Sequence, residues 1–324
     1  MAQRSLRVVA EAQSDHRLDL AARAAWLSYE KGRTQDQIAQ ELQVSRPAVQ
    51  RLMALAQSSG LIEVRLRHAL RDCIRTAEEL RQRYGLRSCE VAPAETGSTE
   101  DIGTVGAAAA RYLEMVIHPR DRMVLGLGNG KTMREVSRRL GRMDRPNCRC
   151  VSLMGNLTRD GRASNHDVVT WVADLLGAEC YPRPMPVVTN TAAEREVLQA
   201  QHGYQSITRL VAEANLLVMG IGYWHRSDAS LLRDGFLTAD ETRQAMDAGA
   251  VGEFLGYAID ADGRILDAGY HARLTSHRPE PDQDRPVVIV ASGVRRAPAV
   301  RAALSGRLAN CLITDFNTAQ LLLA

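Results

Sequence analysis

The chain has 324 residues, 45% hydrophobic and 24% charged, with 41 Lys or Arg against 38 Asp or Glu. This composition excludes a disordered or fibrous chain and suggests about two ordinary domains, and no segment reaches the roughly 18 apolar residues of a membrane span. The net charge of +3 sits at the N-terminal end, where residues 1 to 70 hold ten basic and seven acidic groups and the rest balances at 31 of each.

Residues 1–15 are polar and aperiodic and read as a flexible tail. From Asp15 a helical pattern begins, with Leu18, Ala22, Ala25, Trp26 and Tyr29 at the spacing of one apolar face, ended by Gly32. Thr34 with Gln37 three residues on forms a capping box, so a second helix starts there and buries Ile38, Ala39 and Leu42. Ser45 is an N-cap for a third helix, and Pro47 is tolerated in its first turn. That helix buries Val49, Leu52, Met53 and Ala56 and stops at Gly60. "LIEVRL", residues 61–66, alternates as a short strand or wing would.

Three helices with a tight turn between the second and third fit a helix-turn-helix with a wing. Arg46, Pro47, Gln50, Arg51 and Ala54 lie opposite the buried residues of the third helix. Arg and Gln are the side chains that pair bidentately with guanine and adenine edges in a major groove. The DNA-binding set read here is Thr34, Gln35, Ser45, Arg46, Pro47, Gln50 and Arg51, with double-stranded DNA as partner. The competing reading is a solvated face on a small helical hairpin.

"LRDCIRTAEELRQRYGL", from residue 70, reads as a connecting helix. Beyond it, apolar strands alternate with helical stretches such as 103–117, 132–140 and 166–176. The strands are "CEVAPA", "RMVLGLG", "CVSLMG", "AECYPRP", "NLLVMGIG", "GEFLGYAID", "PVVIVASG" and "NCLITD". Such alternation predicts an α/β domain with a mostly parallel sheet. Asp262-Gly263 is a hairpin signal and predicts one antiparallel excursion. The expected domains are 16–68 for DNA binding and 69–324 for effector binding.

"VLGLGNGKTM", residues 124–133, resembles a phosphate loop. Gly126 and Gly130 enclose only three residues where a P-loop needs four, and G-x-G-x-G is not the dinucleotide fingerprint. Four strands nevertheless end in glycine: at 126–132, 154–156, 220–224 and 291–293. Ligands of open parallel sheets sit outside the carboxyl ends of the strands, where glycine lets backbone amides approach an anion. A small phosphorylated or polyhydroxylated ligand suits such a crevice. The candidate effector residues are Gly128, Asn129, Gly130, Lys131, Thr132, Gly155, Asn156, Gly222, Tyr223, Asp260, Arg273 and Arg296. Lys131 and Thr132 start a helix and suit a phosphate; Lys131 could alternatively form an imine with a carbonyl ligand. Asp260 either accepts sugar hydroxyls or stabilises its own turn. Arg273 and Arg296 are anion partners or surface arginines.

No H-E-x-x-H, G-x-S-x-G or paired zinc cysteines occur, so no catalytic residue, metal site or cofactor is expected. His166 beside Asp167 reads as a helix cap. The six cysteines lack C-x-x-C spacing and read as free thiols in a reduced compartment, and with no signal peptide at the N-terminus the expected location is the cytoplasm.

The run "AARAAWLSYEKGRTQDQIAQELQVSRPAVQRLMALAQSSGLIEVRL", with "VGEFLGYAIDADGRI", "VIVASG" and "LITDFNTAQLLL" in that order, resembles the SorC-type (SorC/DeoR) sugar-binding transcriptional regulators over residues 20 to 324. The resemblance implies a helix-turn-helix joined to an effector domain related in fold to sugar-phosphate isomerases. It implies homodimers or homotetramers, operator DNA as one partner and a sugar, polyol or sugar phosphate as the other, with no membrane partner. It also implies that the Gly128–Thr132 loop, Asp260 and Arg296 line the effector pocket. Where the family has "AGGxxK", this chain has Ser292, Gly293 and Arg296, which keeps the charge in a bulkier, forked form. The resulting reading is a DNA-binding regulator of carbohydrate metabolism under effector control. The alternative is an isomerase- or deaminase-type enzyme that shares the fold of the second domain.

Overall fold

The computed structural model describes residues 2–62, 70–94, 100–119, 122–164, 167–225 and 228–324. The chain divides into two compact units, Met1–His68 and Ala69–Ala324.

The first unit contains α1 (Ala2–Tyr29), α2 (Gln35–Glu41) and α3 (Arg46–Ser58). α1 begins at Ala2 rather than Asp15, so the expected tail is largely helical. No glycine or proline falls between Ala2 and Tyr29 to interrupt the helical ladder. Its buried face also differs from expectation. Ala21, Ala24, Ala25 and Leu27 are inside, while Trp26 and Tyr29 stand 52% and 60% exposed. The small alanines let α3 pack closely on α1, where an indole would hold it away. Trp26 instead lies under the Lys31 ammonium, 4.8 Å from the ring centroid.

Thr34 caps α2 in a full capping box with Gln37. Ser45 caps α3, with Pro47 in the first turn. Between them Gln43 takes φ 54°, and the Val44 N–H donates to the Ala39 carbonyl at 2.9 Å. That left-handed residue reverses the chain within one short turn. Ile38, Ala39, Val49, Leu52 and Ala56 close the core against the α1 alanines. Residues 63–66 of the expected wing lie outside the described residues, as do Asn165 and His166, where a helix cap was expected.

The second unit opens with α4 (Leu70–Tyr84). It is packed rather than a bare connector: the Tyr84 hydroxyl donates to the Leu322 carbonyl at 2.9 Å, and Gln320 Nε2 donates to the Thr76 hydroxyl at 3.1 Å. The strands in chain order are β1 (Ser88–Ala92), β2 (Met123–Leu127), β3 (Cys148–Ser152), β4 (Glu179–Tyr181), β5 (Leu216–Met219) and β6 (Gly222–His225). They continue with β7 (Asp228–Ala229), β8 (Gly252–Phe254), β9 (Tyr257–Ile259), β10 (Val287–Ala291) and β11 (Cys311–Asp315). The helices among them are α5 (Ile102–Val116), α6 (Lys131–Arg139), α7 (Val169–Leu176), α8 (Ala192–Gln199) and α9 (His202–Ala212). α10 (Ser230–Arg233), α11 (Ala239–Asp247), α12 (Ala297–Ser305) and α13 (Phe316–Leu323) complete the set.

Seven strands form one parallel sheet in the order β1-β11-β10-β5-β2-β3-β4. Both faces are covered, as continuous apolar strands require. Val287, Ile289 and Leu217 join the layer of α4, α9 and α12, while Val288, Val290 and Val218 join the layer of α5, α6 and α7. All six cysteines are free.

The antiparallel part is larger than expected, a second sheet in the order β7-β6-β8-β9. "GEFLGYAID" is two strands, not one. Leu255 (φ 53°) and Gly256 (φ 88°) form a two-residue turn with both φ values positive, and β8 and β9 pair across it. The Asp262-Gly263 turn does form, but only the single Ile259–Ile265 bridge follows it.

Candidate functional site

On α3, Arg46, Pro47, Gln50, Arg51 and Ala54 are all exposed, while Val49, Leu52 and Ala56 are buried. The outward face is therefore the one the periodicity gives. Gln35, at the start of α2, receives a hydrogen bond from Gln50 Nε2 at 3.3 Å, and Arg46 lies 3.5 Å from Asp36. Polar residues of α2 thus steady the outward side chains of α3 without burying them.

In the α/β unit, a cavity of about 60 Å³ opens at the carboxyl ends of β2 and β5. It gathers Asn129, Gly130, Lys131, Thr132, Gly222 and Arg296 from the sequence candidates. Gly130 takes φ 124° and leaves the α6 N-terminus without a side-chain cap, so the first-turn amides face the cavity mouth. Lys131 is exposed there and Thr132 is buried. Asn129 donates through Nδ2 to the Gly155 carbonyl at 3.1 Å, and its buried Oδ1 has no hydrogen-bond partner.

Five polar lining residues were not foreseen: Ser164, Ser230, Arg233, Asp234 and Glu253. Glu253 is the most unusual. It is buried on β8 and accepts the Gly256 N–H at 2.6 Å. Burial pushes its carboxyl up to about 7, Asp234 adds to the rise, and the Gly256 N–H and Arg296 oppose it. A Cβ at Gly222 would sit 2.0 Å from Glu253 Oε1, so glycine on β6 makes room for this carboxyl group. Arg296 is buried, donates to the Ser292 carbonyl at 2.7 Å and pairs with Glu100. It also lines a neighbouring cavity of about 230 Å³ with Tyr223 and Gly293. The 60 Å³ space is far below the roughly 300–1,000 Å³ of typical ligand clefts, so a sugar-sized guest requires side chains to withdraw.

Six sequence candidates do not line this cavity. Asp260 is used locally, its Oδ1 accepting the N–H groups of Asp262 and Arg264 at 2.9 Å each. This is the turn-stabilising role that competes with ligand binding. Arg273 donates to the Thr189 carbonyl at 3.0 Å and pairs with Glu241. Gly128 is a packing glycine, where a Cβ would meet Met219 Cβ at 2.5 Å. Gly155 positions Asn129 through its carbonyl, and Asn156 donates to Asp167 at 2.9 Å. Tyr223 faces the neighbouring cavity.

The family model Sugar-bind, a sugar-binding domain, matches residues 68–324. The chain is 34% identical over 305 residues to the erythritol catabolism regulatory protein EryD of Brucella abortus, covering 94% of this chain and 96% of that one. It is 30% identical over 312 residues to the transcriptional regulator LsrR of Klebsiella pneumoniae, covering 94% and 93%. The crystal structure of the full-length sorbitol operon regulator SorC from Klebsiella pneumoniae superposes with a TM-score of 0.71 at 22% identity, over 94% of this chain and 98% of that one. Among the described residues no helix is long and apolar enough to cross a membrane. The chain belongs to the SorC/DeoR-type family of sugar-binding transcriptional regulators.

Proposed function

We propose that this regulator binds operator DNA through α3 and that a sugar, polyol or sugar phosphate in the cavity at Lys131 and Glu253 controls that binding. The first unit acts as a helix-turn-helix. α3 enters the major groove with Arg46, Gln50 and Arg51 at base edges, while Thr34, Gln35, Ser45 and Pro47 lie at the backbone. Residues 16–68 serve DNA binding and residues 69–324 serve effector binding. Operators of spaced half-sites imply a homodimer or homotetramer, and both partners place the protein in the cytoplasm.

One observation carries the effector reading: the cavity gathers two chemically distinct sets of groups. Lys131, Thr132 and the uncapped α6 N-terminus offer positive charge and amide donors. Glu253 and the unpartnered Asn129 Oδ1 offer acceptors for hydroxyls. A phosphorylated or bare polyol matches that polarity. The effector must bind one DNA-affinity state better than the other, or it shifts nothing.

The test is a gel shift of the full chain on DNA from upstream of its own operon, with and without sugars, polyols and their phosphates. Replacing Gln50 and Arg51 together with Ala should weaken binding about 100-fold, at 1–3 kcal/mol for each lost base contact. Unchanged binding by the double variant would remove α3 from the groove.

A further inference from the structure

Away from the β2 and β5 ends, a second polar cavity of about 210 Å³ lies where the chain leaving β4 meets α8, α9 and the start of β9. Its charged lining is cationic: Arg183 follows β4, Arg195 sits on α8, and Arg278 sits on the loop before β10. No Asp or Glu lines it.

Arg183 is 1% exposed. Arginine is almost never fully buried without a partner, and an uncompensated buried charge costs several kcal/mol. The partners here are weak ones. Arg183 donates one hydrogen bond to the Thr275 carbonyl at 2.8 Å, and its guanidinium lies 4.8 Å from the Tyr204 ring centroid. Burial pushes the guanidinium below its usual range, and only the phenols of Tyr204 and Tyr257 act against that. Arg195 spends one N–H on the Ala272 carbonyl at 3.0 Å, and Arg278 stacks 5.5 Å from the Tyr257 ring centroid.

Unsatisfied atoms are concentrated in the residues of its wall. Among the described residues eight buried side-chain nitrogen or oxygen atoms lack a hydrogen-bond partner. Three of them, Arg183 Nε, Arg195 Nε and Ser276 Oγ, belong to residues that line this one cavity. Buried polar groups are normally paired, so each orphan needs a reason, and three in one cavity share one. The imidazoles at the wall are buried beside cationic side chains. Burial pushes His271 and His277 down to about 4; Arg278 pushes His271 further, and Arg285, outside the cavity, and then Arg183 push His277 further.

We infer that this cavity is a second anion site, which holds a phosphoryl group between Arg183, Arg195 and Arg278. Arginine forks match tetrahedral oxyanions bidentately, and Ser276 supplies a hydroxyl donor. The volume admits inorganic phosphate with room to spare or a small phosphate ester. Nothing in this assignment uses Lys131, Glu253 or any residue of the first cavity, so the two can fail separately.

The full chain is treated with phenylglyoxal in the presence of inorganic phosphate, ribose 5-phosphate or ribose, and modified arginines are mapped by peptide mass spectrometry. At about ten times its Kd, a phosphate ligand should slow modification of Arg195 and Arg278 about tenfold. Arg142, exposed and elsewhere, should be unaffected, and ribose should protect nothing. Protection by both phosphates identifies free phosphate as sufficient; protection by the ester alone assigns the site to esters. Lys131→Met should keep the protection. Arg183 is buried and its loss threatens the fold, so the thermal shift is read on Arg195→Ala and Arg278→Ala, which should each lose the phosphate-dependent rise in Tm at this site. Equal rates with and without phosphate, together with unchanged thermal shifts in both variants, would overturn the inference. So would dissociation of an oligomer by these substitutions without any anion effect, because the cavity would then receive a carboxylate of a second copy.

Discussion

Arg46 and Asp36, at the start of α3 and α2, are 61% and 69% exposed and only 3.5 Å apart. Glu253, Thr132 and Arg296, in the cavity beyond β2 and β5, are all buried, and each sits in packed surroundings. The first arrangement leaves side chains solvated, weakly paired and free to exchange partners. The second fixes them in a desolvated place where each polar atom must be satisfied. A DNA-contact face gains from the former, since its long side chains adjust to base edges and phosphates. A sensor gains from the latter, since a guest that satisfies or disturbs a buried group changes the energy of the whole unit. Substitutions should therefore be costly for stability at the cavity and nearly silent on α3.

The largest effect belongs to Glu253. Its carboxyl lies near 7 in the folded chain, against about 4.3 when unfolded. A raised folded value adds stability that is full below the unfolded pKa and lost as pH rises through 7. Relative to Glu253→Gln, the unliganded wild type should lose about 3 kcal/mol between pH 4 and pH 8, at 1.36 kcal/mol per pKa unit. Urea unfolding of both proteins across that range measures it. The wild-type curve alone does not, because His271 and His277, held down to about 4, destabilise the fold as pH falls below their unfolded value. Parallel stability curves for the two proteins would mean that Glu253 is ionised at no cost.

Next comes the packing beside that carboxyl. A Cβ at Gly252 would lie 2.4 Å from Ala299 Cβ and 2.7 Å from the Gly222 carbonyl. Gly252→Ala should cost about 2 kcal/mol, because α12 and β6 must both give. Gly203→Ala is the control. It stands in α9 with nothing within 4 Å, so it should stabilise by about 0.5–1 kcal/mol through helix propensity. Differential scanning calorimetry should show Tm moving in opposite directions. Movement in the same direction would mean that the close approach of β8 to α12 is looser than described.

These effects bear on how much the sequence could tell. α3 was legible because its two faces are written within thirteen residues at helical spacing and its cap, Ser45, is adjacent. The strands were legible for the same local reason, and Lys131 and Thr132 came with the strand that precedes them. Glu253 was not legible. It is one charged residue inside an apolar run, and its meaning depends on Gly222 and Arg296, each thirty or more positions away. That lone charge between Gly252 and Phe254 was the available signal. Asp260 stayed open between two roles because an aspartate before Asp262-Gly263 suits both a turn and a ligand, and only geometry shows the two backbone amides it already holds. Arg183 hid similarly. "YPRPMP" reads as a loop, and only tertiary packing makes its arginine one of the largest fully buried side chains.

A smaller effect is expected at Lys131, one of only two lysines in the chain with Lys31. It is exposed, so Lys131→Met should leave stability unchanged within about 0.5 kcal/mol. A phosphorylated effector should bind about tenfold more weakly, because one charge at a helix N-terminus is lost. A neutral polyol should bind as before. Calorimetric titration of both ligand types separates the cases. If the phosphorylated ligand keeps its full affinity, Lys131 only solvates the start of α6.

The smallest effect tests the α3 side of the contrast. Asp36 and Arg46 are both well exposed, and exposed ion pairs contribute about 0–1 kcal/mol. At the low end of that range, about 0.2 kcal/mol, Asp36→Ala should change Tm by about 1–2 °C, at about 4–8 °C per kcal/mol for a unit this size. Its effect on DNA binding has the opposite sign to a loss of contact. Arg46 gives up a competing carboxylate, and a negative charge leaves the face that meets phosphates, so operator affinity should rise about two- to threefold. The gain should shrink as salt screens the exposed charge. A fall in affinity instead would mean that Asp36 holds Arg46 in its reading position, and α3 would then share the preorganised character of the buried cavity.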